Sequence, residues 1–118
     1  MEKSREDYLR SIYELTQEGE GGAKTSELAD YMDVSDASAT EALKKLEDDD
    51  LVCRAPYKGF TLSPMGRSEA EELEKKYQVL KQFFAEVLEV RDPEEQANAV
   101  EHHITEEAAE KIEELTRG

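Results

Sequence analysis

Between residues 25 and 62 the hydrophobic period changes twice, and that change restricts the fold more than any other feature of the chain. Leu28, Ala29 and Met32 recur at helical spacing behind Thr25, which can cap a helix. After only Asp33-Val34, a second helical pattern begins at Ser35, with Ala39, Ala42, Leu43 and Leu46 on its apolar face. The period then shortens: Leu51-Val52-Cys53-Arg54 and Gly59-Phe60-Thr61-Leu62 read as two short strands around Pro56-Tyr57-Lys58-Gly59. Two helices across a two-residue turn, followed by a hairpin, is the order of a winged helix-turn-helix.

Helical patterns flank this segment. Ser4-Arg5-Glu6-Asp7 has capping-box form, and Tyr8, Leu9, Ile12, Tyr13 and Leu15 carry a first helix to about Gln17, where Glu18-Gly19-Glu20-Gly21-Gly22 breaks it. Ser63-Pro64 opens a long helix with the stripe Leu73, Tyr77, Leu80, Phe84, Val87 and Leu88. Asp92-Pro93 opens another, with Ala97, Val100 and Ile104 inward, and Thr105 caps a last one. The fold class expected is therefore mainly α with a small β-hairpin: a winged helix-turn-helix over residues 1–63 and a helical dimerisation domain over 64–118. The long helix is too apolar to stand alone at a surface, which points to a homodimer.

Charge enters as an objection to nucleic acid. The chain holds 30 acids against 15 bases, a net of −15, and phosphate binding needs cationic surface. The excess is even, −7 over residues 1–60 and −8 over 61–118, unlike a disordered acidic tail. Such an acidic skin suits a salt-rich, halophilic cytoplasm, where about 1 M salt shortens the screening length to roughly 3 Å and global repulsion of DNA fades. One stretch escapes the pattern. Leu51 to Ser68 contains Arg54, Lys58 and Arg67 and not one acid. A hairpin tip lying along a phosphate backbone accounts for that gap, so Arg54 and Lys58 are candidate phosphate contacts.

A helix-turn-helix puts the N-terminal side chains of its second helix into the major groove. Here those are Ser35, Ala37, Ser38, Thr40 and Glu41: small residues for close approach, hydroxyls for phosphate or base edges, and a carboxylate for cytosine N4. Ser35 and Ser38 read equally well as helix-start residues. The single cysteine, Cys53, excludes an internal disulfide and reads as a small buried strand residue. No phosphate loop, nucleophile elbow or HExxH occurs, and no nucleophile is paired with a base, so an enzyme is not expected. No apolar run reaches the length of a membrane span and the charged start is no signal peptide, so a cytoplasmic protein without a membrane partner is expected.

Four separated motifs, Glu6 to Leu15, Leu46 to Val52, Leu62 to Arg67 and Glu101-His102-His103, resemble the diphtheria-toxin-repressor and manganese-transport-regulator family in order and spacing. The resemblance implies a transcriptional repressor of metal-homeostasis genes that binds a palindromic operator in double-stranded DNA as a dimer, with a divalent metal as effector. It also implies a ligand set. Asp7 stands where manganese-type members use Asp, Glu101 and His102 match ligands of both types, and Asn98 stands where relatives use Cys or Glu. Asn98, Glu101 and His102 lie at i, i+3 and i+4, the spacing of one helix face. A thiolate-free O/N set suits Mn²⁺ or Fe²⁺ better than a soft metal. A second, ancillary site looks dismantled, since Tyr77, Lys81 and Glu94 replace the family's His, Glu and His, and Arg10 replaces a further N-terminal acid. His103 is expected at the surface. Two other readings stay open: a winged-helix regulator that has lost metal control, and an acidic winged-helix module for protein partners.

Overall fold

The computed structural model describes residues 4–16 and 21–118. Its elements run α1 (Arg5–Leu15), α2 (Thr25–Met32), α3 (Asp36–Asp48), β1 (Val52–Ala55), β2 (Gly59–Leu62), α4 (Pro64–Glu86), α5 (Pro93–Val100), one 3₁₀ turn (Glu101–His103) and α6 (Glu106–Arg117). The chain gathers into two compact units that divide inside α4, one ending at Glu71 and the other beginning at Glu72. The expected end of the first helix, Gln17, and the start of the break after it, Glu18 to Glu20, lie outside the described residues.

In the first unit, caps set the helix starts. Ser4 and Asp7 close a reciprocal capping box on α1, with Asp7 N donating to Ser4 Oγ (3.1 Å) and Ser4 N donating to Asp7 Oδ2 (3.0 Å). Thr25 is the first residue of α2 rather than its cap; Lys24 occupies that place, and its amide donates to Glu27 Oε1 at 3.0 Å. A glutamate reaching back from the third position does the work expected of the threonine. The tight turn between α2 and α3 rests on Asp33, whose φ of 56° is left-handed, a conformation that short polar side chains tolerate. Tyr8, Leu9 and Ile12 of α1, Leu28, Ala29 and Met32 of α2, and Ala39, Leu43 and Leu46 of α3 are buried with Leu51, Val52 and Leu62.

The hairpin pairs Val52 with Leu62, Cys53 with Thr61, Arg54 with Phe60 and Ala55 with Gly59, antiparallel. An isolated two-stranded hairpin is marginal in water, and this one has a third support. Ala23 bridges Phe60 by two hydrogen bonds, Ala23 N to Phe60 O (2.9 Å) and Phe60 N to Ala23 O (2.7 Å). Gly59, at φ +86°, lies so close to the Ala23 carbonyl that any side chain there would overlap it. Cys53 corrects the sequence expectation: it is exposed, because strand alternation sends Val52 to the core and its neighbour to the solvent face of the hairpin.

The turn into α4 is built from Ser63. Its amide donates to Leu51 O (3.0 Å), its hydroxyl donates to Asp50 O (2.6 Å), and the same oxygen accepts from Gly66 N (2.9 Å). These bonds place the first turn of α4 against the end of α3, with Gly66 directly on the Leu51 carbonyl.

In the second unit, Tyr77, Leu80 and Ala97 form the core, with Phe84, Val100, Ile104 and Ile112 packed against it. Asp92 caps α5 through Glu95 N (3.0 Å) and Thr105 caps α6 through Ala108 N (3.1 Å), as their positions in the sequence suggested. Val87 and Leu88, expected on the buried stripe of the long helix, are exposed, since α4 ends at Glu86. Among the described residues, no helix is long and apolar enough to cross a membrane.

Candidate nucleic-acid interface and metal centre

Helix α3 divides its faces cleanly. Ala39, Leu43 and Leu46 are buried, whereas Ser35, Ala37, Ser38, Thr40 and Glu41 are all exposed along its first turns. Ser35 is the N-cap: its Oγ accepts from Ser38 N at 3.0 Å and also lies 3.0 Å from Ser38 Oγ. Replacing Ser35 by alanine is therefore expected to cost about 1 kcal/mol of stability, measured by urea unfolding, before any effect on a ligand. Sequence reasoning passed over Lys44 and Lys45, which are exposed further along α3; the signal was two adjacent bases in a helix otherwise rich in acids. Lys45 Nζ lies 3.5 Å from Glu41 Oε1, an exposed contact of little energetic consequence.

On the hairpin, Arg54 and Lys58 are exposed. Arg54 Nε lies 3.2 Å from Glu47 Oε2, and its guanidinium carbon sits 5.2 Å from the centre of the Phe60 ring. The guanidinium is thus held at the junction of α3 and β1, with its donors still reachable from solvent. At the start of α1, Arg5 reaches Asp49 (3.5 Å) and Glu69 (3.2 Å). Burial lowers its pKa, but hydrogen bonds and charge attraction from Glu69 and Asp49 outweigh that, and the guanidinium ends above its ordinary value. Arg10 is buried and pairs with Glu14 (3.1 Å), whose other oxygen accepts from Tyr31 OH (2.8 Å), so a base occupies the place of the expected second acid.

The candidate metal ligands fall in both units. Asp7 belongs to the first turn of α1, where one of its oxygens closes the capping box. Glu101 and His102 belong to the second unit. Glu101 is 0% exposed, and its Oε1 lies 3.7 Å from His102 Nε2. Burying a carboxylate is costly unless a cation meets it. Two donors at this separation fall within the roughly 3–4 Å that ligands about 2.1 Å from one ion span. The residues present therefore fit a divalent ion. Asn98 is different. Helix α5 ends at Val100 and Glu101–His103 forms a 3₁₀ turn, so the single α-helical face expected for Asn98, Glu101 and His102 is interrupted, and Asn98 is exposed where Glu101 is buried. His103 is exposed, as expected. Tyr77 is buried in α4, and Lys81 Nζ stands 5.9 Å from the centre of its ring.

Two family models together span nearly the whole chain. The iron dependent repressor N-terminal DNA binding domain matches residues 1–60, and the iron dependent repressor metal binding and dimerisation domain matches residues 63–117. The chain belongs to the iron-dependent repressor family. Among relatives of this family, the HTH-type transcriptional regulator MntR of Geobacillus kaustophilus is 32% identical over 119 residues, 97% of this chain and 81% of the relative. An uncharacterized HTH-type transcriptional regulator of Methanocaldococcus jannaschii is 33% identical over 114 residues, 95% of this chain and 91% of the relative. Of solved repressors, the manganese regulator SloR superposes with a TM-score of 0.86 at 28% identity over 99% of this chain. ScaR with bound Zn²⁺ gives 0.78 at 28% identity over 98%. The chain spans 55% and 54% of the lengths of those two solved chains. The repressor family thus accounts for the winged helix-turn-helix, and its second domain is one that binds metal and dimerises.

Proposed function

We propose that this chain represses transcription of metal-homeostasis genes by binding a two-fold-symmetric operator as a homodimer, with Mn²⁺ or Fe²⁺ as the activating ion. The observation that carries the metal half is the fully buried Glu101 carboxylate beside His102, in a domain of the metal-binding type. Asp7, Glu101 and His102 would hold the ion, with Asn98 a peripheral member, and one ion per subunit is expected because Tyr77 and Lys81 occupy the places of the ancillary ligands. The oxygen-and-imidazole set favours a hard or borderline divalent ion. Bound there, the ion would supply positive charge to the buried carboxylate and draw its ligands together. The protein's part is to present two α3 helices about one turn of DNA apart, with Ser38, Thr40 and Glu41 toward base edges and Arg54 and Lys58 toward phosphate. Val87, Leu88 and Leu115, exposed on the second unit, are the apolar surface that a second copy would cover.

Metal-linked binding of this kind typically carries a coupling of about 5–150-fold. Mn²⁺ is therefore expected to raise affinity for a selected palindromic duplex by at least about tenfold over an EDTA-treated sample, read by gel shift in high salt. Arg54→Glu is expected to weaken that binding about tenfold and lower its salt dependence. Equal affinity with and without metal would point instead to a regulator freed of metal control. Absence of any DNA binding would point to a protein-interaction module.

A further inference from the structure

The wing tip holds a residue that the DNA reading leaves unused. Lys58 N donates to Ala55 O at 3.1 Å, closing a turn with Pro56 and Tyr57 at its two central positions. Tyr57 has φ 66°. The second central position of such a Pro-initiated turn calls for glycine or asparagine, because a Cβ there crowds the backbone. A large aromatic residue stands in its place. Its ring gains nothing from the fold in return: Tyr57 is 103% exposed, the most exposed large hydrophobic side chain among the described residues. Local strain at a surface position, with no packing to compensate for it, points to a duty outside the folded chain.

Three features define that duty. The tip stands on an anchored base, because the Ala23–Phe60 bridge and the close approach of Gly59 to Ala23 tie β2 to the chain beneath it. Its surroundings are basic, since the acid-free stretch from Leu51 to Ser68 runs through it and Lys58 is the next residue. It stands beside the reading helix, because β1 packs on α3 in the same unit. We propose that Tyr57 is a DNA-contacting residue. Its ring enters the minor groove next to the major groove occupied by α3 and lies against the deoxyribose edges, while Arg54 and Lys58 hold the flanking phosphates. The left-handed residue leaves the ring fully open to a partner at the tip. An apolar ring on a cationic hairpin matches a narrow groove walled by sugars and phosphates, and it reports groove width rather than base identity.

This inference rests on the DNA-binding reading, and one experiment separates the two. Duplexes are selected from a random library by the wild-type protein in Mn²⁺, and a fluorescein-labelled selected duplex is titrated with wild type, Tyr57→Ala, Tyr57→Phe and Tyr57→Gly. Hydroxyl-radical footprints of each complex complete the set. Tyr57→Ala and Tyr57→Gly are expected to lose about tenfold in affinity and the sugar protection at the outer edges of the site, while protection under α3 persists. Tyr57→Phe keeps the ring and stays within about threefold of wild type with its outer protection intact. Tyr57→Gly relieves the left-handed strain, so its melting temperature equals or exceeds that of wild type. Wild-type affinity and footprint in Tyr57→Ala would overturn the proposal. A melting temperature lowered by more than about 3 °C in Tyr57→Gly would also overturn it, by assigning the residue a structural duty. If the wild-type protein selects no sequence at all, the DNA-binding reading falls and this inference falls with it.

Discussion

Glu101→Gln is expected to weaken Mn²⁺ binding by on the order of 100-fold. The loss follows from the place of the carboxylate, fully buried beside His102. A carboxylate offers a cation a charged oxygen donor that an amide does not, and replacing even groups that only support a metal ligand costs 10–100-fold. In wild type, saturating metal at about 100 times Kd adds roughly 2.7 kcal/mol to the stability of the folded state. In Glu101→Gln the same metal concentration is only about one Kd and adds roughly 0.4 kcal/mol, so EDTA lowers the melting temperature of wild type far more than that of the variant. Calorimetric titration and thermal unfolding with and without EDTA check both halves. Undiminished Mn²⁺ affinity in the variant would remove Glu101 from the site.

Gly66→Ala is the second large effect, and propensity alone would assign it the opposite sign. In an exposed helix, alanine stabilises by about 1 kcal/mol over glycine. Here the added methyl would overlap the Leu51 carbonyl oxygen. That oxygen has no room to retreat, because it accepts from Ser63 N (3.0 Å) while Asp50 O accepts the Ser63 hydroxyl (2.6 Å). Forcing an extra methyl into such a contact costs about 1–3 kcal/mol, and the upper end is expected where both sides are backbone. A loss of about 3 kcal/mol corresponds to a drop of roughly 10 °C or more in melting temperature, confined to the first unit. Thermal unfolding followed by far-UV dichroism reads it. A stabilised variant would show that the first turn of α4 can shift away from the α3–β1 junction.

These two residues mark how far the sequence could be read. Elements were legible where a polar residue with one duty announced them: Ser4, Ser35, Asp92 and Thr105 cap their helices through the bonds their positions suggest. Pro64 opens α4 and the Pro56–Gly59 segment turns the hairpin, since few other conformations accept those residues. Legibility failed where the outcome depended on a partner distant in sequence. Cys53 and Val52 are equally apolar neighbours, and only the sheet decides which faces water. Thr25 is the better intrinsic cap, yet Glu27 moves the helix start by one residue. The i, i+3, i+4 spacing of Asn98, Glu101 and His102 is compatible with one α-helical face, but the helix tightens to 3₁₀ after Val100 and sets Asn98 apart. The role of Gly66 within its motif was invisible as well, because it consists of a contact with a carbonyl fifteen positions earlier.

The pairing of Ala23 with Phe60 divides the wing into a frame and a display. Residues 52–55 and 59–62 are committed to the ladder and, through Ala23, to the helices beneath it. Pro56, Tyr57 and Lys58 carry no ladder pairing at all. Chemistry at those three positions can thus be exchanged without unsettling the scaffold that carries α3. Such a division lets a lineage of repressors drift in the flanking sequence they favour while the core of the operator they read stays fixed.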